Sequence, residues 1–298
     1  MKSVLFLMTL LVALIPACAQ QPNPTSAEWK PVEDALGRKG SMQPGDVFKF
    51  SMPRSDLKVA VAGTPIKAGL ALGSWLAFKK TGNEAIVMGD LVLTESEVEP
   101  VMMKLQQEGI EETALHNHLL HENPRVMYMH VSAHGDPAKL ASELKEALEL
   151  TKTPAAAPAP ASAQHSLGID TAQIEKTLGF QGKNSNGIYQ FSIPRGEAIH
   201  DMDTEIPPSM GTATSINFQP TGNGRAAITG DFVLIGTEVN PVIRALRDNG
   251  IQVTALHSHM LTEDPRLFFM HFWANDNAGK LAKGLRAALD TMNVKKSQ

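Results

Sequence analysis

At 298 residues the chain has room for two domains, each large enough to bury its own core. A formal charge of −4, with 43% hydrophobic and 19% charged residues, describes a mildly acidic folded protein and gives no basic footprint for nucleic acid. The single cysteine, Cys18, excludes intrachain disulfides and cysteine-ligated zinc.

The first stretch reads as a signal peptide over residues 1–19. Met1-Lys2 gives a positive start, Val4 to Ile15 is almost unbroken apolar sequence, and small residues follow. Ile15-Pro16-Ala17-Cys18 resembles the bacterial lipobox, which would make Cys18 an acylated N-terminus and give membrane contact through its lipid. Ala17-Cys18-Ala19 also satisfies the small-x-small rule for ordinary cleavage, so lipidated and freely secreted forms both stay open. Either route predicts export, to the periplasm or to an outer-membrane or cell-surface position. Gln20 to Thr25 then forms a polar tether, and no later run reaches the ~18 apolar residues of a membrane span.

Two copies of one unit follow, a first repeat over 26–150 and a second over 166–293, joined by an Ala/Pro-rich linker over 151–165. A short amphipathic helix ends at Gly37 and, in the second copy, at Gly179, with Asp170 and Gln173 set for a capping box. Strands over Phe48–Arg54 and Tyr189–Arg195 stop near their prolines. The stretches 55–72 and 196–212 are rich in Gly and Pro and read as loop with at most short strand pieces. Further strand pairs are expected at 74–80 with 85–94 and at 215–219 with 226–235, turned at Thr81-Gly-Asn83 and Thr221-Gly-Asn223.

From Gly89-Asp90 and Gly230-Asp231 onward the copies align without a gap, and close to half of the positions are identical. Helices are expected from Glu97 to Gly109 and from Glu238 to Gly250, with Pro100 and Pro241 in their first turns. Thr94 with Glu97 forms a plausible capping box. Two histidine-bearing strands come next, and a helix closes each unit, over 137–150 and 278–292. The pattern predicts an α+β fold of two homologous domains, each an antiparallel or mixed sheet covered by helices, the tail β-α-β-β-α being similar to part of a ferredoxin-like arrangement. Duplication also allows a pseudo-symmetric pairing of the two repeats.

The chemistry concentrates in the histidines. Thr113-Ala-Leu-His-Asn-His118 leads through Glu122-Asn-Pro124 to His130, and Thr254-Ala-Leu-His-Ser-His259 leads through Glu263-Asp-Pro265 to His271. Residues two apart on a strand share a face, so His116 and His118 project together. A hairpin centred at residue 123 would set His116 opposite His130 and His118 opposite Tyr128, with His257 and His271 matched likewise. Each triad, His116, His118, His130 and His257, His259, His271, then suits a transition metal, zinc or copper foremost. Glu122 and Glu263 follow the second histidine by four residues, similar to a cupin motif without its glycines, and rank as accessory ligands only. Asp90 and Asp231 are further accessory carboxylates. Met129 and Met270 should face the core. His121 and His134 become Thr262 and Asn275 in the second copy, whereas all six triad positions keep histidine.

Three readings stay open. In the first, each repeat binds a metal ion or small molecule through its triad. In the second, the protein is a metal-dependent periplasmic enzyme, hydrolase or cupin-like, with Asp90/Asp231 or Glu122/Glu263 as base. In the third, it is a cell-envelope interaction module with structural histidines. No Gly-x-Ser-x-Gly, Walker or dinucleotide motif occurs.

Gly230-Asp-Phe-Val-Leu, Glu238-Val-Asn-Pro241, Val253-Thr-Ala-Leu-His-Ser-His-Met-Leu and Leu267-Phe-Phe-Met-His-Phe-Trp-Ala274 closely resemble the LppY/LpqO family of bacterial lipoproteins. The resemblance covers both halves and implies export and lipidation, but brings no activity. Ser132 stands where the second half has Trp273, which implies that the first half is the less active one.

Overall fold

The computed structural model describes residues 27–155, 167–201 and 204–295. The signal segment with Cys18, the polar tether and most of the Ala/Pro linker lie outside these residues. In the first half, α1 (Lys30–Leu36) precedes β1 (Ser41–Gln43), β2 (Val47–Pro53), β3 (Gly73–Thr81) and β4 (Glu84–Thr94). Then come α2 (Glu95–Glu108), β5 (Glu111–His116), β6 (Val126–Gly135) and α3 (Pro137–Leu148). The second half repeats this order. Its elements are α4 (Thr171–Leu178), β7 (Lys183–Ser185), β8 (Ile188–Pro194), β9 (Ala213–Gly222), β10 (Arg225–Ile235), α5 (Gly236–Asp248), β11 (Gln252–His257), β12 (Leu267–Asn277) and α6 (Ala278–Leu289).

Each half is α+β, with one antiparallel six-stranded sheet, ordered β1-β2-β3-β4-β6-β5 and β7-β8-β9-β10-β12-β11. Helices cover one face. Phe48, Phe50, Phe78 and Val131 pack with Leu36, Leu105 and Leu144, and Phe191, Phe218, Phe232 and Phe272 with Leu178, Leu246 and Leu285. The opposite faces of the two sheets pack on one another. Val92 and Tyr128 share a cluster with Ile188, Ala227 and Trp273, while Val47, Ala77, Ile86 and Met88 share another with Val233, Leu267 and Phe269. The molecule is therefore layered helix, sheet, sheet, helix. β4 is buried on both faces from Ala85 to Leu93, which is why its sequence shows no polar alternation.

The poorly matched loops close the space between the sheets. They hold short pieces at Ala60–Val61, Thr64–Pro65 and Ala68–Ala71, and at His200–Asp201, Thr204–Glu205 and Pro208–Met210. Leu70 reaches the second half's Ile188 and Ala227, and Met210 reaches the first half's Val47 and Met88. Each half thus lends its loop to cover the other's sheet.

Two boundaries differ from expectation. The capping box puts Thr94 at the N-cap, because its backbone N–H donates to Glu97 at 2.8 Å, so α2 starts at Glu95 and Pro100 falls past the first turn. The first residues of the expected linker belong to the first half. Lys152 N–H donates to Glu97 at 2.8 Å, and Arg38 donates to the carbonyls of Pro154 and Ala155 at 2.5 and 3.1 Å.

Glu97 is the hub of a buried knot rather than part of a site. Fully buried Arg54 donates to it at 2.8 and 3.2 Å, to Asp56, and to the Val92 carbonyl at 2.6 Å. Arg195, Glu238, Glu197 and Val233 repeat the arrangement. In both copies the ion pair holds the glutamate below the usual carboxylate range against the cost of burial. Removing one partner strands a buried charge, so Arg54→Ala should cost about 3–5 kcal/mol. The measurement is urea unfolding, and a loss under ~1 kcal/mol would show the pair to be ornamental.

Candidate metal centre

The histidine strands pair two residues out of the expected register. Ala114 opposes His130 and His116 opposes Tyr128; Ala255 opposes His271 and His257 opposes Phe269. A two-residue shift keeps the face, since side chains alternate with period two. The cause is the turn. Beyond His116 the chain leaves the strand, and Glu122–Asn123 pairs with Ala60–Val61 instead of forming a tight hairpin. In the second copy Asp264 bridges to His200 in the same way. His118 and His259 therefore sit in loops just past the ends of β5 and β11.

All six histidines enter the space between the sheets and interleave across the halves. The rings of His116 and His257 stack at 3.5 Å between centroids. His118 stacks on His271 at 3.7 Å and His130 on His259 at 3.6 Å. The duplication exchanges the last two pairs and maps the first onto itself, so a pseudo-twofold axis passes between His116 and His257. The geometry corrects the expectation of one triad per repeat. Among the described residues there are four sets whose donor atoms lie within 4.8 Å of one another, and none consists of the three histidines of one half. The sets are His116, His118, His257 and His271; His116, His130 and His259; Asp90, His118 and His130; and Asp231, His259 and His271.

Asp90 and Asp231 are brought in by the central strands, directly opposite His130 and His271. Asp90 lies 4.0 Å from His130 Nε2, and Asp231 lies 3.9 Å from His259 and 4.0 Å from His271. The preceding glycine is forced at least in β10: a Cβ on Gly230 would stand 1.9 Å from the Ser215 carbonyl oxygen. Glu122 and Glu263 stay out of the cluster. Their carboxylates accept the Val126 and Leu267 N–H groups at 3.3 and 2.9 Å and close the loops.

Burial sets the electrostatics. It holds His118, His130, His259 and His271 well below their usual range, and mutual repulsion among the rings adds to it. His116 falls to about 3 and His257 to about 4, again mainly through burial. The same burial lifts Asp90 to about 8 and drives Asp231 up, Asp90 adding to the latter. The rings are thus neutral and keep a lone pair for coordination. The Nε2 atoms of all six histidines are buried without a hydrogen-bond partner among the described residues, as are Asp90 Oδ1 and Asp231 Oδ1. His271 Nδ1 lies 2.8 Å from the Gly230 carbonyl, which fixes the proton there and presents Nε2 as donor.

A cavity of about 910 Å³ opens on His118, His130, His259, His271 and both aspartates. Lys49 projects into it from β2, donates to the Ser209 carbonyl at 3.0 Å and lies 4.0 Å over the Trp75 ring. Burial lowers its pKa to about 8, opposed by Asp90. Sequence reading missed Lys49 and Trp75, which lie far from any motif. It allowed a pseudo-symmetric pairing of the repeats but missed the mixing of their histidines, although the unalternating run Ala85-Ile-Val-Met88 signals a strand covered on both faces.

No curated protein matches the chain. Two solved structures align along 84% of it: EtuB from Clostridium kluyveri, at 9% identity, 88% coverage of that chain and a TM-score of 0.24, and the trimeric bacterial microcompartment shell protein PduB, at 12%, 89% and 0.21. The family described as Domain of Unknown Function (DUF1259) matches twice, over residues 30–150 and 172–291, and the chain belongs to that family as a tandem duplication.

Proposed function

We propose that the two repeats together build one transition-metal centre, and that the protein is an exported, lipid-anchored binder of that metal and of a small ligand at it. The supporting observation is the convergence of six buried, unpartnered Nε2 atoms and two carboxylate oxygens from both halves. Leaving so many polar atoms unsatisfied is costly unless something binds them. The donor set is nitrogen and oxygen alone. Met129 and Met270, next to His130 and His271 in sequence, lie in the helix-side cores, and zinc or copper(II) fits the nitrogen and oxygen donors. Metal analysis of the purified full chain tests this. Stoichiometric metal is expected, whereas a metal-free protein that takes up neither zinc nor copper would leave the histidines structural.

The cavity favours a second reading, a metal-dependent enzyme with Asp90 or Asp231 as base. Turnover in a hydrolase substrate screen, abolished by chelation, would select it. Export rests on the apolar N-terminal run, and anchoring on Cys18 together with the resemblance to LppY/LpqO lipoproteins. Cys18→Ser should abolish labelling by radioactive palmitate and release the protein from the membrane fraction. Unchanged membrane retention would refute the anchor.

A further inference from the structure

The centre obeys the pseudo-twofold axis, but the cavity around it does not. Register equates Trp75, opposite Asp90, with Ser215, opposite Asp231. The next inward positions are Ala77 and Met88 in the first half, but Asn217 and Thr229 in the second. Lys49 corresponds to Gln190, and each reaches the loop lent by the other half: Lys49 to the Ser209 carbonyl, Gln190 to the Gly69 carbonyl at 3.3 Å. A device that only held metal would have no use for this difference. Symmetry broken at the wall and kept at the centre orients an unsymmetrical ligand.

The chemistry of the two sides defines that ligand. On one side stands an ammonium group that has, among the described residues, one hydrogen-bond acceptor, the Ser209 carbonyl, for three N–H donors. On the other stand neutral hydroxyl and amide groups. Among these, Asn217 Oδ1 is buried without a hydrogen-bond partner among the described residues, while its amide nitrogen makes only long bonds of 3.4 Å. A cation matched with neutral donors and acceptors suits an acid bearing hydroxyl groups, and the volume of about 910 Å³ accommodates a molecule of sugar-acid size.

Resting on the reading of a shared metal centre, we propose that the cavity binds a small hydroxylated carboxylate, its anionic end at Lys49 and its hydroxyls along Asn217, Ser215 and Gln190. Lys49 is the residue that sets orientation and charge preference.

Calorimetric titration of the metal-loaded full chain with gluconate and with the dicarboxylate glucarate tests the proposal, metal content being measured on every sample. Wild type should bind gluconate with one site per chain. Lys49→Gln, which removes the cation and puts glutamine at this position in both halves, should weaken it at least ~10-fold with metal content unchanged. Gln190→Lys supplies a second cation and should turn the preference toward glucarate. A wild-type protein without metal fails the centre itself. A metal-loaded wild type that binds neither acid overturns the ligand assignment alone, as does gluconate binding that Lys49→Gln leaves within about twofold.

Discussion

His116→Ala should remove metal from the whole protein rather than from half of it. In a pair of independent sites, one per repeat, the variant would keep half of the wild-type content. Here His116 belongs to two of the donor sets, one shared with His118, His257 and His271 and the other with His130 and His259. Its ring also lies against His257 at the pseudo-twofold axis. Losing it removes a donor from both sets and leaves a gap beside the remaining rings. Metal content should fall below about a tenth of the wild-type value, and His257→Ala should do nearly the same, since the axis relates the two. Metal that binds only the folded state stabilises it by about 2.7 kcal/mol at a hundredfold excess over Kd. The variant should therefore lose roughly 5–10 °C of metal-dependent melting temperature. Retention of half the metal would restore the independent triads, and a melting temperature that falls equally with and without added metal in both variants would favour a structural cluster.

Much of this architecture is legible in the sequence. The duplication fixes two similar units, and the Gly-terminated helices and Pro-stopped strands appear where local chemistry asks for them. Side-chain alternation also put His116 and His130 on one face, and that survived a register shift because the shift was by two. Beyond the pairing of repeats that duplication allows, the sequence did not yield how the two halves share their site residues. Three histidines near one another on a strand pair suggest a local triad, and nothing local says that the other sheet will supply the completing rings. That information sits in the burial of β4 on its second face and in loops that pair with strands far away in the chain. The accessory carboxylates divide for the same reason. Asp90 and Asp231 lie on central strands whose inner face is the interface, whereas Glu122 and Glu263 lie in loops whose backbone N–H groups need an acceptor.

The metal-stripped protein should be acid-labile well above the pH at which carboxylates titrate. A histidine held neutral by burial binds its proton more weakly in the folded chain than in the unfolded one. Its contribution is complete above the unfolded value of 6.5 and is lost as pH falls from there toward about 4 for His257 and about 3 for His116. The other four histidines are shifted in the same direction by the same cause. The two aspartates act oppositely. With Asp90 lifted to about 8 and Asp231 also raised, the folded state holds protons that the unfolded state releases, so they lower stability as pH rises from about 4 toward 8. Burial also raises Glu122 to about 7 and lifts Glu263, and both act with the aspartates. Six groups outweigh four below pH 6.5, and the four prevail above it. Stability of the chelator-treated full chain should thus peak near pH 6.5, with a melting temperature at pH 5 lower than the peak by about 10 °C or more. Reloading with zinc should flatten the acid limb until protons displace the metal. Asp90→Asn separates the two effects, because it should make the alkaline limb shallower and leave the acid limb in place. Scanning calorimetry between pH 4 and 8 decides it, and a metal-free protein equally stable at pH 5 and 7 would mean that the histidines are solvated rather than packed between the sheets.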